Sequence, residues 1–148
     1  MRRTIAFLTL AVLLLCSVSC NNYSKDERAI RKSAQSYLDA MGNYRLDDAA
    51  PYASRYTREE TLPLFKRVMK YADTAYVNAN QPAEIKLLSV RMLDDSAAMV
   101  YFHKHTPIKD VDDSVVVIYE DDQWLCEVRV KNIAFLPPEK EETNDAAQ

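Results

Sequence analysis

The chain is short of glycine, of usable cysteine and of positive charge. A single glycine, Gly42, serves 148 residues, so no hairpin can be built on Asn-Gly or Asp-Gly. Of three cysteines, Cys16 and Cys20 fall within the first twenty residues, which leaves Cys126 alone in the remainder. That excludes a disulfide framework, and the fold must rest on its core. Lys and Arg total 19 against 22 Asp and Glu, a net charge of −3, and two of the arginines, Arg2 and Arg3, lie at the very start. A binder of phosphate backbones needs a basic stripe, whereas here Lys and Arg alternate with acids, so nucleic acid is excluded as a partner. Anionic headgroups are disfavoured for the same reason. Long apolar runs are limited to Ile5 to Leu15, too short for a permanent bilayer span. No segment repeats another.

What is present begins with an address. Arg2 and Arg3, the apolar run and then Ser17-Val18-Ser19 describe a secretory signal peptide over residues 1–19. Ser17-Val18-Ser19-Cys20 resembles the lipobox of bacterial lipoproteins, in which the cysteine thiol takes a diacylglycerol and the cut falls just before it. Ser17 stands where Leu is usual. Cys16 competes, but the bulky Leu15 before it suits a signal peptidase poorly. The resemblance makes Cys20 the lipid attachment site and residues 20–24 a tether. Asn21, rather than Asp, then implies outer-membrane delivery, and Ser24-Lys25-Asp26-Glu27 resembles an acidic tether that sends lipoproteins to the cell surface. Each buried methylene of an acyl chain contributes about 0.8 kcal/mol, so several chains anchor without a basic helper.

The remaining length, about 130 residues, is one domain able to bury about two-thirds of its unfolded surface. Ser24 with Glu27 forms a capping box, and Ile30, Ala34, Tyr37, Leu38 and Met41 follow at helical spacing. Gly42 is expected to end this helix in a left-handed conformation. Arg45 to Ala50 reads as a short helix stopped by Pro51. Thr57 with Glu60 is a second box, predicting a helix to about Ala75 whose two apolar stripes make it the most buried of the three. From Pro82 the period becomes two. Strands are predicted at 83–93, 96–106, 114–120 and 123–133, with a bulge near Leu87-Leu88, a charged loop over 107–113 and acidic turns at Asp94-Asp95 and Asp121-Asp122. Pro137-Pro138 starts a polar tail, 137–148, expected to be disordered.

The expected fold class is therefore α+β, three N-terminal helices packed on a curved four-stranded antiparallel sheet. The helix end Tyr37 to Tyr44, the turn Asp47-Asp48-Ala49-Ala50-Pro51-Tyr52 and the final Asp122-Gln123-Trp124 resemble small exported domains of the cystatin-like, nuclear transport factor 2-like superfamily. A lipoprotein family of unknown function within it is especially similar. The resemblance implies a cone-shaped domain over residues 25–136. It carries no catalytic signature, since members include isomerases, hydratases, scaffolds and domains without known activity.

Residue faces sharpen this. On the second strand Ala98, Val100 and Phe102 share one side and Met99, Tyr101, His103 and His105 the other. The plainly apolar side should meet the helices, leaving both histidines outward. Two histidines could reach one metal ion, but zinc or copper needs a third or fourth ligand, and only Asp110, Asp112 and Asp113 are near in sequence. Solvated histidines are the better reading, with no metal and no cofactor. Tyr37, Phe65, Phe102 and Trp124 are the candidate pocket residues. Cys126 alternates with Trp124 and Val128 and reads as a buried, inert thiol. Met99, Tyr101, Val116 and Ile118 make the outer sheet face apolar and form a candidate interface for a second copy or an envelope partner. The expected role is non-catalytic binding or scaffolding. The alternative is a small isomerase or hydratase, which would need an acid or His beside a Tyr hydroxyl inside the cone.

Overall fold

The computed structural model describes residues 23–130. The expected signal peptide at 1–19, Cys20, the first residues of the expected tether, the predicted strand end at 131–133 and the expected tail at 137–148 lie outside them. Four helices come first: α1 (Lys25–Gly42), α2 (Leu46–Ala49), α3 (Leu62–Met69) and α4 (Thr74–Ala79). Four strands follow: β1 (Glu84–Asp94), β2 (Ala97–Thr106), β3 (Lys109–Glu120) and β4 (Gln123–Glu127), antiparallel in the order β1-β2-β3-β4. The predicted α+β class is what the structure shows. No helix among the described residues is long and apolar enough to cross a membrane.

Ser24 accepts a hydrogen bond from the Glu27 N–H at 3.1 Å, so α1 starts where its cap predicts. Glu27 does not complete the box, because its carboxylate binds Arg31 at 3.1 Å. Ile30, Ala34, Tyr37 and Leu38 are buried along one stripe, and α1 crosses the sheet, touching both β1 and β4. On the sheet's inner side Ala98, Val100, Phe102, Val115, Val117, Trp124 and Cys126 complete the core. A fully buried Ile30, Val100 or Val117 contributes about 1.5–3 kcal/mol.

Three expectations fail for physical reasons. The third helix is not continuous and is not the most buried; α1 is. Ser54, not Thr57, receives the first helical N–H, from Thr57 at 3.2 Å, and residues 57–61 form a wide π-type turn in which the Leu62 N–H reaches the Thr57 carbonyl. Pro63 follows at once and has no N–H for an ordinary turn. The buried Thr57 and Thr61 are committed to the end of β4: Thr57 Oγ1 accepts from the Val128 N–H at 2.9 Å, and Thr61 Oγ1 donates to the Val128 carbonyl at 2.6 Å. Of α3 only Leu62 is buried. Asp73 then caps a separate α4 through the Ala75 N–H.

Gly42 is not left-handed; Tyr44 takes that conformation, at φ 58°. Glycine is needed for close approach, since a Cβ there would stand 3.3 Å from the Ala83 Cβ. Nor is 107–113 a loop. Thr106 Oγ1 accepts from the Lys109 N–H and donates to the Lys109 carbonyl, closing a turn after which β3 runs at once, so the charges of 109–113 alternate across a strand. By contrast, the bulge is where it was expected: Leu87 pairs with Phe102 and Ser89 with Tyr101, leaving Leu88 extra. A second bulge lies at Leu93, and both increase the local bend and twist of β1. Asp121 and Asp122 both have positive φ, 50° and 62°, the geometry of a tight I′ hairpin made without glycine.

Candidate functional site

The inner phase of β2 runs Ala98, Val100, Phe102, Lys104, Thr106, and that of β3 pairs with it as Val117, Val115, Asp113, Val111, Lys109. The apolar part lies under α1. Past it, the C-terminal end of α1 and one side chain of α3 face the charged end of the sheet across a cavity of about 360 Å³. Leu38, Met41, Phe65, Ile85, Phe102 and Val111 give it an apolar floor, and Lys104, Lys109 and Asp113 form its rim.

Two of the four predicted pocket residues, Phe65 and Phe102, line this cavity. Tyr37 and Trp124 do not. They are 2% and 7% exposed and sit in the filled end of the core, with Trp124 packed on Tyr119 at a centroid distance of 5.2 Å. Neither the Tyr37 hydroxyl nor the Trp124 indole N–H has a hydrogen-bond partner among the described residues. Burial raises the Tyr37 pKa. Burial likewise raises that of Cys126, against a lowering by the Ser33 hydroxyl beside it, so this thiol is buried and held protonated.

Lys104 and Lys109, missed in the sequence, are inner-phase neighbours on adjacent strands. Burial, then the charge of Lys109, lowers the Lys104 pKa. Neither ammonium has an ion-pair partner among the described residues. The third rim group, Asp113, accepts the Ser114 N–H at 2.7 Å.

His103 and His105 occupy the outer face, as expected, each against its cross-strand aspartate. His103 Nδ1 lies 2.7 Å from Asp112 and His105 Nδ1 2.5 Å from Asp110. Among the described residues no three His, Cys, Asp or Glu side chains are grouped to hold a metal ion. The candidate interface residues Met99, Tyr101, Val116 and Ile118 share that outer face, with Met99 opposite Val116; all four are half-buried. Leu125, opposite Ile118, extends the apolar stripe and is 5% exposed.

A larger depression, about 700 Å³, opens between Asn43, Arg45, Asn78, Gln81 and Pro82. Its polar groups are already used: Asn43 binds both backbone groups of Ala83, and Gln81 Nε2 donates to the Asn43 carbonyl. It is the outside of a joint.

No known protein family matches this chain, and neither does any curated protein. Among solved structures it is similar to an NTF-2-like protein of unknown function from Shewanella oneidensis MR-1, with 17% sequence identity and a TM-score of 0.48, covering 67% of this chain and 92% of that one.

Proposed function

We propose that this chain is a lipid-anchored domain of the bacterial cell envelope, carried on Cys20 at the outer membrane, that uses a nuclear transport factor 2-like scaffold to bind a ligand without transforming it. The observation that supports this reading is the cavity lining: an apolar floor with two lysines and one aspartate at its rim. General acid–base chemistry needs an acid and a base within reach of one bound atom. Here the histidines are on the opposite face of the sheet and the Tyr37 hydroxyl and Cys126 thiol are sealed in the core, so Asp113 lines the cavity with no Tyr hydroxyl or histidine beside it. The isomerase or hydratase alternative lacks that partner.

The same reading gives the outer stripe of Met99, Tyr101, Val116, Ile118 and Leu125 to a second copy of the chain or to another envelope protein. Native mass spectrometry of the gently extracted protein tests both parts. A dimer supports the outer-face interface, and small-molecule mass retained by the protein supports the cavity as a ligand site. Turnover, seen as a bound molecule changing mass or, for an isomerisation, changing its NMR spectrum on incubation, would overturn the binding reading.

A further inference from the structure

Two lysines and one aspartate, Asp113, face one small cavity, and neither lysine forms an ion pair among the described residues. Lys104 lies opposite Val111, and Lys109 is two residues further along the same face of β3, a diagonal relation that puts Cβ atoms about 7–8 Å apart. Side chains as long as lysine easily converge from that spacing on a single group between them. What sets these two lysines apart is their place: both line one cavity from adjacent strands. The half-buried Lys104 is partly desolvated and feels the like charge of Lys109, a cost that a bound anion reverses.

The rest of the lining is mostly apolar, with Phe102 next to Lys104 on the inner face of β2 and Phe65 and Ile85 across the cavity's other walls. The volume, about 360 Å³, is at the small end for ligand sites. It holds about a dozen water-sized groups at ~30 Å³ each. Cationic rim, apolar floor and this size together specify a molecule with a negative head and a short hydrocarbon body.

We propose that the cavity binds a single-chain amphiphile with an anionic head, its carboxylate or phosphate held between Lys104 and Lys109 and its body, about ten carbons, on the Phe65–Phe102 floor. This rests on the reading of the cavity as a ligand site and adds the chemistry of the ligand. Chain length should matter until the floor is filled: each methylene removed from decanoate weakens binding up to about four-fold, the equivalent of ~0.8 kcal/mol.

The experiment uses the full-length chain with Cys20→Ser, so that no acyl chain attached to the protein competes for the cavity. Decanoate, decyl phosphate, decanol and decyltrimethylammonium are titrated by calorimetry, with NMR shifts of the Met41 and Ile85 methyl groups reporting the site. Decanoate or decyl phosphate should bind at least ten-fold more tightly than the neutral and cationic analogues. The Lys104→Gln/Lys109→Gln double variant should lose about ten-fold for the anions and leave decanol unchanged, its melting curve confirming that it folds. Anionic binding that survives the double substitution, or a cationic analogue that binds as well, overturns the proposal. Decanol bound as tightly as decanoate overturns the anionic head but leaves the ligand site standing. No methyl shift with any of the four overturns both.

Discussion

Replacing Asn43 with alanine removes a latch that joins the end of α1 to the start of the sheet. The Asn43 side-chain oxygen accepts from the Ala83 N–H at 2.9 Å, and its nitrogen donates to the Ala83 carbonyl at 3.0 Å and to the Asp39 carbonyl at 2.9 Å. Asp39 loses least, because the Asn43 backbone N–H still reaches its carbonyl at 3.3 Å. Ala83, 7% exposed, loses most. Two hydrogen bonds at ~1 kcal/mol each, together with a backbone donor left dry, give an expected cost of about 2–3 kcal/mol. For a domain of this size that is a fall of roughly 10–15 °C in Tm. Urea unfolding followed by Trp124 fluorescence should show the midpoint falling with an unchanged slope. Gln81→Ala is the control: it removes only a half-exposed bond to the Asn43 carbonyl and should cost under about 1 kcal/mol. The latch also holds Gly42 against Ile85, and both line the cavity, so ligand affinity should fall together with stability. A loss for Asn43→Ala below ~0.5 kcal/mol, or one equal to that of Gln81→Ala, would refute the account of the joint.

Tyr37→Phe removes a buried hydroxyl with no partner among the described residues and should raise stability by about 1 kcal/mol in urea titrations; a loss of that size would mean the hydroxyl is satisfied after all. Asp122→Gly relieves a residue at φ 62° in the last hairpin and should stabilise by about 0.5–1 kcal/mol, read from the melting midpoint, with a decrease counting against the I′ geometry. Cys126, whose pKa burial raises, should resist iodoacetamide in the native state and react in urea. Its sign in pH is fixed: the folded thiol keeps a proton that the unfolded thiol releases near pH 8.5, so stability is complete below that pH. It is lost above it at up to about 1.4 kcal/mol per pH unit. Cys126→Ala should flatten that slope between about pH 8.5 and 10, and an unchanged slope would show that another group controls it.

The parts of the fold that could be read in advance are those where one signal acted alone. Ser24 caps α1 because nothing else nearby competes for the Glu27 N–H, and the change of phase at Leu87-Leu88 could only be a bulge, since both flanking runs are apolar. Where two signals met, sequence reasoning chose the wrong one. Thr57 and Glu60 have capping-box spacing, but Ser54 had already begun the helix, and the threonine hydroxyl was worth more against the orphaned backbone of Val128. Gly42 looked like a left-handed stop because such glycines usually are; the contact that selects it comes from Ala83, forty-one residues away. The start of β3 was hidden because both of its faces are polar there, so period-two alternation of charge resembled a charged loop.

That last oversight concealed the site. With β3 begun at Lys109, the register places Lys104, Lys109 and Asp113 on the same inner face as Phe102 and Val100, and an inward charge is a statement about the space it faces. Had α3 closed over this end of the sheet, those positions would need apolar side chains, because a buried unpaired lysine costs several kcal/mol. The chain instead spends Thr57 and Thr61 on β4 and leaves only Leu62 of α3 in the core, so the helix covers the closed end poorly and supplies just Phe65 to the cavity. The sheet is thus apolar where Tyr37 and Trp124 fill it and charged where nothing does. The change from Val100 and Phe102 to Lys104 along one strand face marks the boundary between core and cavity.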